Sequence, residues 1–384
     1  MEVIKAYKTE LNPNNAQASQ FVRFAEARRF VFNLGLREWQ RQYENGEKPS
    51  EYGLRKQFNA VKYDYARHCS HFKNVINSPY AVTEAAFRDL GNAFKNFFRR
   101  LKNGEEPGYP KFKRQSRSFS IRGIKVKNDR VHITGVGWVR LKESNYIPIT
   151  ESGLKFSTYA TISKRGGRWF VSVPVYRDVQ VPKNESDLVL GIDLGIKSLV
   201  VCSDYTVYEN PKPLRQAQQK LRRLQRELSR RKKGGKNWHK TKRKLARQHA
   251  RIANIRKHTL HQISHDLIVN KKPAVIVIED LNVKGMTKNH HLAQAISDAG
   301  FGELRRLIEY KAERNGVKVI IADRWFASSK TCSRCGCIDS DLRLSDRTYR
   351  CAECGLEIDR DLNAALNLAA YGRKAQAEPD CPGS

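Results

Sequence analysis

The sequence predicts a multidomain α+β protein, in which a β-barrel interrupted by a helical module is followed by a mixed sheet covered by helices. Three observations predict it. Apolar residues recur at helical intervals over about 12–103, the pattern switches to short alternating β-branched and aromatic runs over 117–176, and beyond 188 apolar strands alternate with helical stretches. With 384 residues, 40% of them hydrophobic, the chain can bury two or three cores.

Residues 2–9 read as one strand. The Asn12-Pro13 pair, an N-cap residue followed by proline, turns the chain helical, and Phe21, Phe24, Ala25, Val31 and Leu34 follow at helical spacing. A second such pair, Ser78-Pro79, precedes Phe87, Leu90, Ala93, Phe94, Phe97 and Leu101. The helical module is therefore placed at 12–104. Strands are expected at 118–121, 131–134, 138–141, 156–163 and 169–175, with Gly166-Gly167 turning the last pair into a hairpin. The lone strand at 1–11 lacks a partner of its own, so it is expected to join the strands of 105–184 and make the barrel discontinuous. After a linker around 182–187, strands are expected at 188–192, 198–202 and 205–208. Two long helices broken at Gly234-Gly235 follow, then a strand at 274–278, a helix at 302–314 and a strand at 317–321. These make a mixed sheet over 185–327 that carries a basic helical hairpin at 212–268. Residues 372–384 read as a disordered tail.

Charge narrows the partners. Seventy-two Lys and Arg against 39 Asp and Glu give +33, which self-repulsion would penalise unless a polyanion neutralised it. Nucleic acid is that polyanion, because the basic segments lack the lipid-compatible face a membrane surface requires. No run of eighteen apolar residues and no signal-like start is present, so a cytoplasmic, nucleoid-associated protein with no membrane partner is expected.

Three acids stand out by position. Asp193 ends an apolar strand in Gly191-Ile192-Asp193-Leu194-Gly195, where the glycines admit another backbone or a phosphate. Glu279 ends a second apolar strand, and Asp361 opens a helix just after a cysteine cluster. An acid abutting buried strand residues needs a cation or donors, and hard oxygen ligands from two strands and a helix suit two magnesium ions in phosphodiester hydrolysis. The plainer reading makes each a strand-end or cap residue; Asp361 is open to an N-cap role, and Asp359 is its local rival.

Cys332, Cys335, Cys351 and Cys354 form two C-x2-C pairs with fifteen residues between them, each second cysteine followed by glycine. Such thiolate pairs give tetrahedral coordination of one structural zinc. Cys337 falls outside the spacing. The His290-His291 pair has no spaced partner and reads as loop.

Between Lys212 and Lys257 lie 19 Lys or Arg and one acid, Glu227, along a helix whose narrow apolar seam is Leu214, Ala217, Leu221, Leu224 and Leu228. Like charges one turn apart repel unless phosphates lie between them, so Arg222, Arg226, Arg230, Arg231, Lys232 and Lys233 are candidate nucleic-acid contacts. A second tract, Lys111, Lys113, Arg114 and Arg117 around Phe112, reads as a loop that grips a backbone and stacks a base.

Gly191-Ile-Asp-Leu-Gly195, Ile278-Glu-Asp-Leu281, the run from Arg324 to Gly336 and Asp359-Arg-Asp-Leu-Asn-Ala-Ala-Leu-Asn367 together resemble, in order, the hallmarks of the TnpB proteins of bacterial insertion sequences, relatives of the type V CRISPR effectors. The resemblance is dense over about 188–370. It implies a RuvC-like nuclease of RNase H fold with a zinc-ribbon insertion at 328–358 and a return to the nuclease domain at 359–371, plus a wedge-like barrel and a helical recognition module. It also implies that a guide RNA from the transposon end pairs with double-stranded target DNA beside a short flanking motif, one protein per guide. The family's third acid corresponds to Asp361. The alternative is an RNA-guided or zinc-ribbon regulator that binds without cutting.

Overall fold

The computed structural model describes residues 1–150, 153–343 and 346–377. Contacts divide the chain at Asp178, a few residues before the expected linker, into a unit of Glu2–Asp178 and a unit from Val179 onward.

In the first unit, β1 (Glu2–Asn12) leads to helices α1 (Asn15–Glu44), α2 (Glu51–His68), α3 (Ser70–Ile76) and α4 (Tyr80–Lys102). Helix α1 starts later than Asn12-Pro13 suggests. Asn14 accepts from the Gln17 N–H at 2.8 Å while the Gln17 side chain accepts from the Asn14 N–H at 3.1 Å, closing a capping box that leaves Asn12 in the strand. Ser78 is likewise not a cap: its hydroxyl donates to Asn74 O, and Pro79 precedes α4.

Strands β2 (Ser118–Arg122), β3 (Lys125–Val126), β4 (Arg130–Ile133), β5 (Gly137–Leu141), β6 (Tyr159–Arg165) and β7 (Arg168–Asp178) follow. They form a seven-stranded sheet ordered β2-β6-β7-β1-β5-β4-β3, in which β1 pairs along β7 and then β5. Gly166 and Gly167, both at positive φ, turn β6 into β7. The edge strands β2 and β3 are separated only by Gly123 and Ile124, so the sheet must curl until its edges approach. Helix α1 covers it, with the Phe21 ring 5.1 Å from Trp169 and Phe24 5.4 Å from Phe119.

The second unit is built on β8 (Val189–Leu194), β9 (Ser198–Cys202), β10 (Val207–Glu209), β11 (Val275–Glu279) and β12 (Lys318–Ala322), ordered β10-β9-β8-β11-β12. The first three run antiparallel, and β11 and β12 run parallel to β8. Between β10 and β11 lie the basic helices α5 (Pro213–Arg230) and α6 (Lys236–His265), the latter continuing into a π-helical turn over Asp266–Asn270. Glu227, the lone acid of the tract, accepts from Arg231 and, at 2.9 Å, from the buried Thr241, tying α5 to α6.

Helices α7 (Val283–Met286), α8 (His290–Ala299) and α9 (Phe301–Asn315) connect β11 to β12. His290 and His291 are thus the first turn of α8, capped by Asn289, rather than loop. A small hairpin, β13 (Thr348–Arg350) and β14 (Glu357–Asp359), precedes the last helix, α10 (Arg360–Ala377).

Two glycines let α10 lie against the sheet. A Cβ on Gly191 would sit 2.1 Å from Ala365 O, and one on Gly372 would sit 2.5 Å from Val277 Cγ2. The close backbone that Gly191 admits is therefore α10 itself. Docking at Gly372 extends the helix to Ala377, six residues into the segment expected to be disordered, because Gly372 packs on the sheet instead of leaving it. The rest of that expected tail, 378–384, lies outside the described residues.

Candidate active site

Strand register sets the first two acids side by side. Ile192 of β8 is opposite Ile278 of the parallel strand β11, so Asp193 and Glu279 are the next residues on neighbouring strands about 4.8 Å apart, at their carboxyl ends. Asp361 comes to them on the first turn of α10, its Oδ2 only 3.8 Å from where a Cβ on Gly195 would lie. It is not the cap. Asp359 takes that role, accepting from the N–H groups of Asp361 and Leu362 at 3.0 and 3.1 Å, which frees the Asp361 carboxylate.

The proximity has an electrostatic consequence. Burial, then the negative charges of Glu279 and Asp361, push the Asp193 carboxyl up to about 8, against the opposing pull of Arg360 and the Leu194 N–H. Burial likewise raises Glu279, and a hydrogen bond donated by the Ser328 hydroxyl pulls it back. Its neighbour Asp280 is a different kind of acid: Arg305, at 3.0 Å, and Arg324 bind it and hold its carboxyl below the ordinary range. Among the described ion pairs, Arg360 lies 3.4 Å from Asp361, and its charge also acts on Asp193.

The cysteines form the second feature. Cys332 and Cys354 sulfurs lie 3.6 Å apart and those of Cys335 and Cys351 3.5 Å apart, and all four fall within 4.8 Å of one another. A tetrahedron with ~2.3 Å metal–sulfur arms has edges of about 3.8 Å, so the quartet fits a metal ion. Two matching turns build it. Cys332 N–H donates to Cys337 O and Gly336 N–H to Cys332 O, just as Cys351 N–H donates to Leu356 O and Gly355 N–H to Cys351 O, with both glycines at positive φ. Although burial opposes it, the N–H groups of Cys335 and Arg334 lower the Cys332 thiol to about 6, which favours the thiolate. Cys337 is exposed outside the quartet.

Residues that the sequence reading passed over connect the two features. Asn363 accepts from the Ser333 N–H at 3.0 Å and donates to Thr331 O at 2.7 Å, while Asn367, one turn later, donates to Ser328 O at 2.8 Å and Thr331 O at 2.6 Å. Helix α10 thereby grips the segment that carries Ser328 onto Glu279. The signal was present: two asparagines four residues apart on an Ala- and Leu-rich helix must bond something when buried. Asn367→Ala should cost about 1–3 kcal/mol by taking from the buried Ser328 carbonyl the donor that Asn367 supplies, a loss read as a lower melting temperature at fixed metal concentration.

The basic candidates divide by environment. Arg222, Arg226, Arg230, Lys232 and Lys233 are exposed, and Arg222, Arg226, Arg230 and Arg231 line an open groove on the α5 surface. Arg231 is half-buried against Glu227. In the first unit Lys111, Arg114 and Arg117 are exposed, but Lys113 lies 3.6 Å from both Asp89 and the Phe32 ring centroid, engaged within the unit.

A polycation with an acid cleft at the carboxyl edge of a mixed α/β sheet, braced by a thiolate ribbon, belongs among the proteins that handle nucleic acids. Comparison with known proteins sharpens that class. A family described as "Probable transposase" matches residues 172–290, one described as "Cas12f1-like, TNB domain" matches 301–368, and a "Helix-turn-helix domain" family matches 1–48, where the structure has β1 and the single long helix α1. The chain is 33% identical to a protein of Escherichia coli (strain K12) named as an RNA-guided DNA endonuclease, InsQ, across 98% of this chain and 94% of the relative. It is 34% identical to a protein of the same designation from Streptomyces pristinaespiralis, across 98% and 91%. The solved structure of CasPhi-2 (Cas12j) bound to crRNA shares the fold, with a TM-score of 0.50 at 11% identity over 96% of this chain and 98% of that one. The chain belongs to the TnpB family of transposon-encoded RNA-guided DNA endonucleases.

Proposed function

We propose that this protein is an RNA-guided DNA endonuclease in which Asp193, Glu279 and Asp361 hold two magnesium ions and cut the target phosphodiester. The observation that carries the reading is the convergence of three acids, with Glu279 and Asp361 close enough to raise Asp193 and Arg360 paired with Asp361, in a chain of +33. Hard oxygens that repel one another when ionised fit divalent cations, and three such acids from two strands and a helix suit a pair of them. The sheet order, with acids at the ends of two parallel strands and at the start of the last helix, supports a RuvC-like nuclease of RNase H fold. The curled sheet and its helices correspond to a wedge-like barrel and a recognition module, and the cysteine quartet to a structural zinc ribbon.

When bound, the magnesium ions supply a hydroxide nucleophile and stabilise the leaving 3′ oxygen. The residues do the rest. Asp193 and Glu279 fix the strand side of the site, Ser328 orients Glu279, Arg360 offsets part of the charge on Asp361, and the arginines of α5 hold phosphate groups by charge. The guide RNA supplies sequence selection by base pairing to duplex DNA, with one protein per guide.

Because burial and the neighbouring carboxylates push Asp193 up to about 8, it is mostly protonated at pH 7 in the metal-free protein. Magnesium loading should therefore release protons at pH 7, measured by titration calorimetry in buffers of different ionisation enthalpy, and Asp193→Asn should remove most of that release. The same shift has a defined sign for stability. The folded metal-free chain keeps a proton that the unfolded chain loses near 3.8, so this contribution is complete in acid and is lost as pH rises through about 8.

The function is tested by sequencing the RNA that co-purifies with the protein and offering the complex plasmids with and without a matching target. Magnesium-dependent cutting of the matched plasmid alone is the expected outcome. Binding of duplex DNA without RNA, and no cutting, would favour a zinc-ribbon regulator instead.

A further inference from the structure

Trp325 is 87% exposed, the most exposed large hydrophobic residue among those described, while its neighbour Phe326 packs inward with its ring centroid 5.0 Å from Tyr371. An indole left in water beside a phenyl that is partly buried against its own core asks for a ligand with an apolar face.

Its surroundings say which. Trp325 lies on the short segment from Ala322 to Ser328, and both ends of that segment are fixed on Glu279: Ala322 is the β12 residue opposite Glu279, and the Ser328 hydroxyl donates to the Glu279 carboxylate. Three Cα steps separate Trp325 from either end, so its Cα is within about 11 Å of both. The segment is also held in the middle. Arg324 binds Asp280, which Arg305 engages from the other side at 3.0 Å, and Asp323 accepts the Trp325 N–H at 2.8 Å. The indole is thus an exposed flat surface on a braced loop, a nucleotide or two from the carboxylates.

We propose that Trp325 is a stacking platform for an unpaired DNA base next to the scissile phosphate, positioning the strand for cleavage. The inference rests on the nuclease reading above and names a residue that fixes its substrate. The partner is a single strand, since only an unpaired base offers a free face to an indole, and stacking of this kind tolerates any base. Asp193, Glu279 and Asp361 would hold the metal ions at the reacting phosphate, whereas Trp325 holds the neighbouring nucleotide in place.

The test is single-turnover cleavage of matched target DNA by the protein with its co-purifying guide RNA, comparing wild type, Trp325→Ala and Trp325→Phe. Trp325→Ala should cut about tenfold more slowly or worse at saturating complex, Trp325→Phe should recover most of the rate, and target binding measured with calcium in place of magnesium should be unchanged. An abasic nucleotide placed one or two positions from the cut should slow wild type by a similar factor and slow Trp325→Ala no further. A Trp325→Ala protein that cuts at the wild-type rate, or defects that multiply, would overturn the proposal alone. A wild-type complex that never cuts would overturn the nuclease reading together with it.

Discussion

Asp193→Ala is expected to lower guided cleavage by at least about three orders of magnitude while guide RNA and target DNA remain bound. The asymmetry follows from where the residue sits. Asp193 is on the sheet edge with Glu279 and Asp361, and the candidate phosphate-binding arginines are on α5, a separate element whose fold does not involve this carboxylate. Removing Asp193 also relieves the burial cost and, after it, the repulsion by Glu279 and Asp361 that hold its pKa high, so the metal-free variant should melt no lower than wild type above neutral pH. Gel-shift binding beside timed cleavage separates the two effects. Loss of binding in parallel with loss of cutting would mean that the acids support structure instead of chemistry.

Removal of zinc should have an effect of similar size by a different route. A four-thiolate ribbon owes its fold to its metal, with binding energies of about 10–16 kcal/mol in small zinc modules. Here the ribbon does not end at its cysteines. Ser333 N–H and the carbonyls of Ser328 and Thr331 are bonded by Asn363 and Asn367, on the helix whose first turn presents Asp361. Stripping zinc, or making Cys351→Ser, should therefore disorganise Ser328 and Asp361 together, abolish cutting even with magnesium restored, and lower the melting temperature. Zinc added back to the stripped wild type should recover both. Full activity in zinc-free protein supplied with magnesium would show that the ribbon and the acids are independent.

How far the sequence revealed this arrangement depended on how local each signal was. Asp193, Glu279 and the cysteine quartet could be read because each sits in a short pattern, an apolar strand ending in an acid or a pair of C-x2-C turns, that determines its own neighbourhood. The choice between Asp359 and Asp361 was not local. It depended on which carboxylate takes the two N–H groups at the start of α10, and the coordinates give that role to Asp359. The starts of α1 and α4 were misplaced for a related reason: Asn12-Pro13 looks like a cap, yet the Asn14 and Gln17 capping box prevails two residues on. Lys113 looked like its exposed neighbours in sequence, and only the packing of Asp89 and Phe32 around it shows otherwise. Ser328, Asn363 and Asn367 act through contacts some thirty to fifty residues away in the chain, which no periodicity encodes.

The central claim is that Asp193, Glu279 and Asp361 jointly bind divalent ions. Anomalous diffraction from crystals soaked in manganese tests it directly. The account predicts manganese peaks against oxygens of all three carboxylates in wild type, lost in Asp361→Ala and retained in Asp359→Ala. Manganese that avoids this cleft, or binds it unchanged in Asp361→Ala, would contradict it.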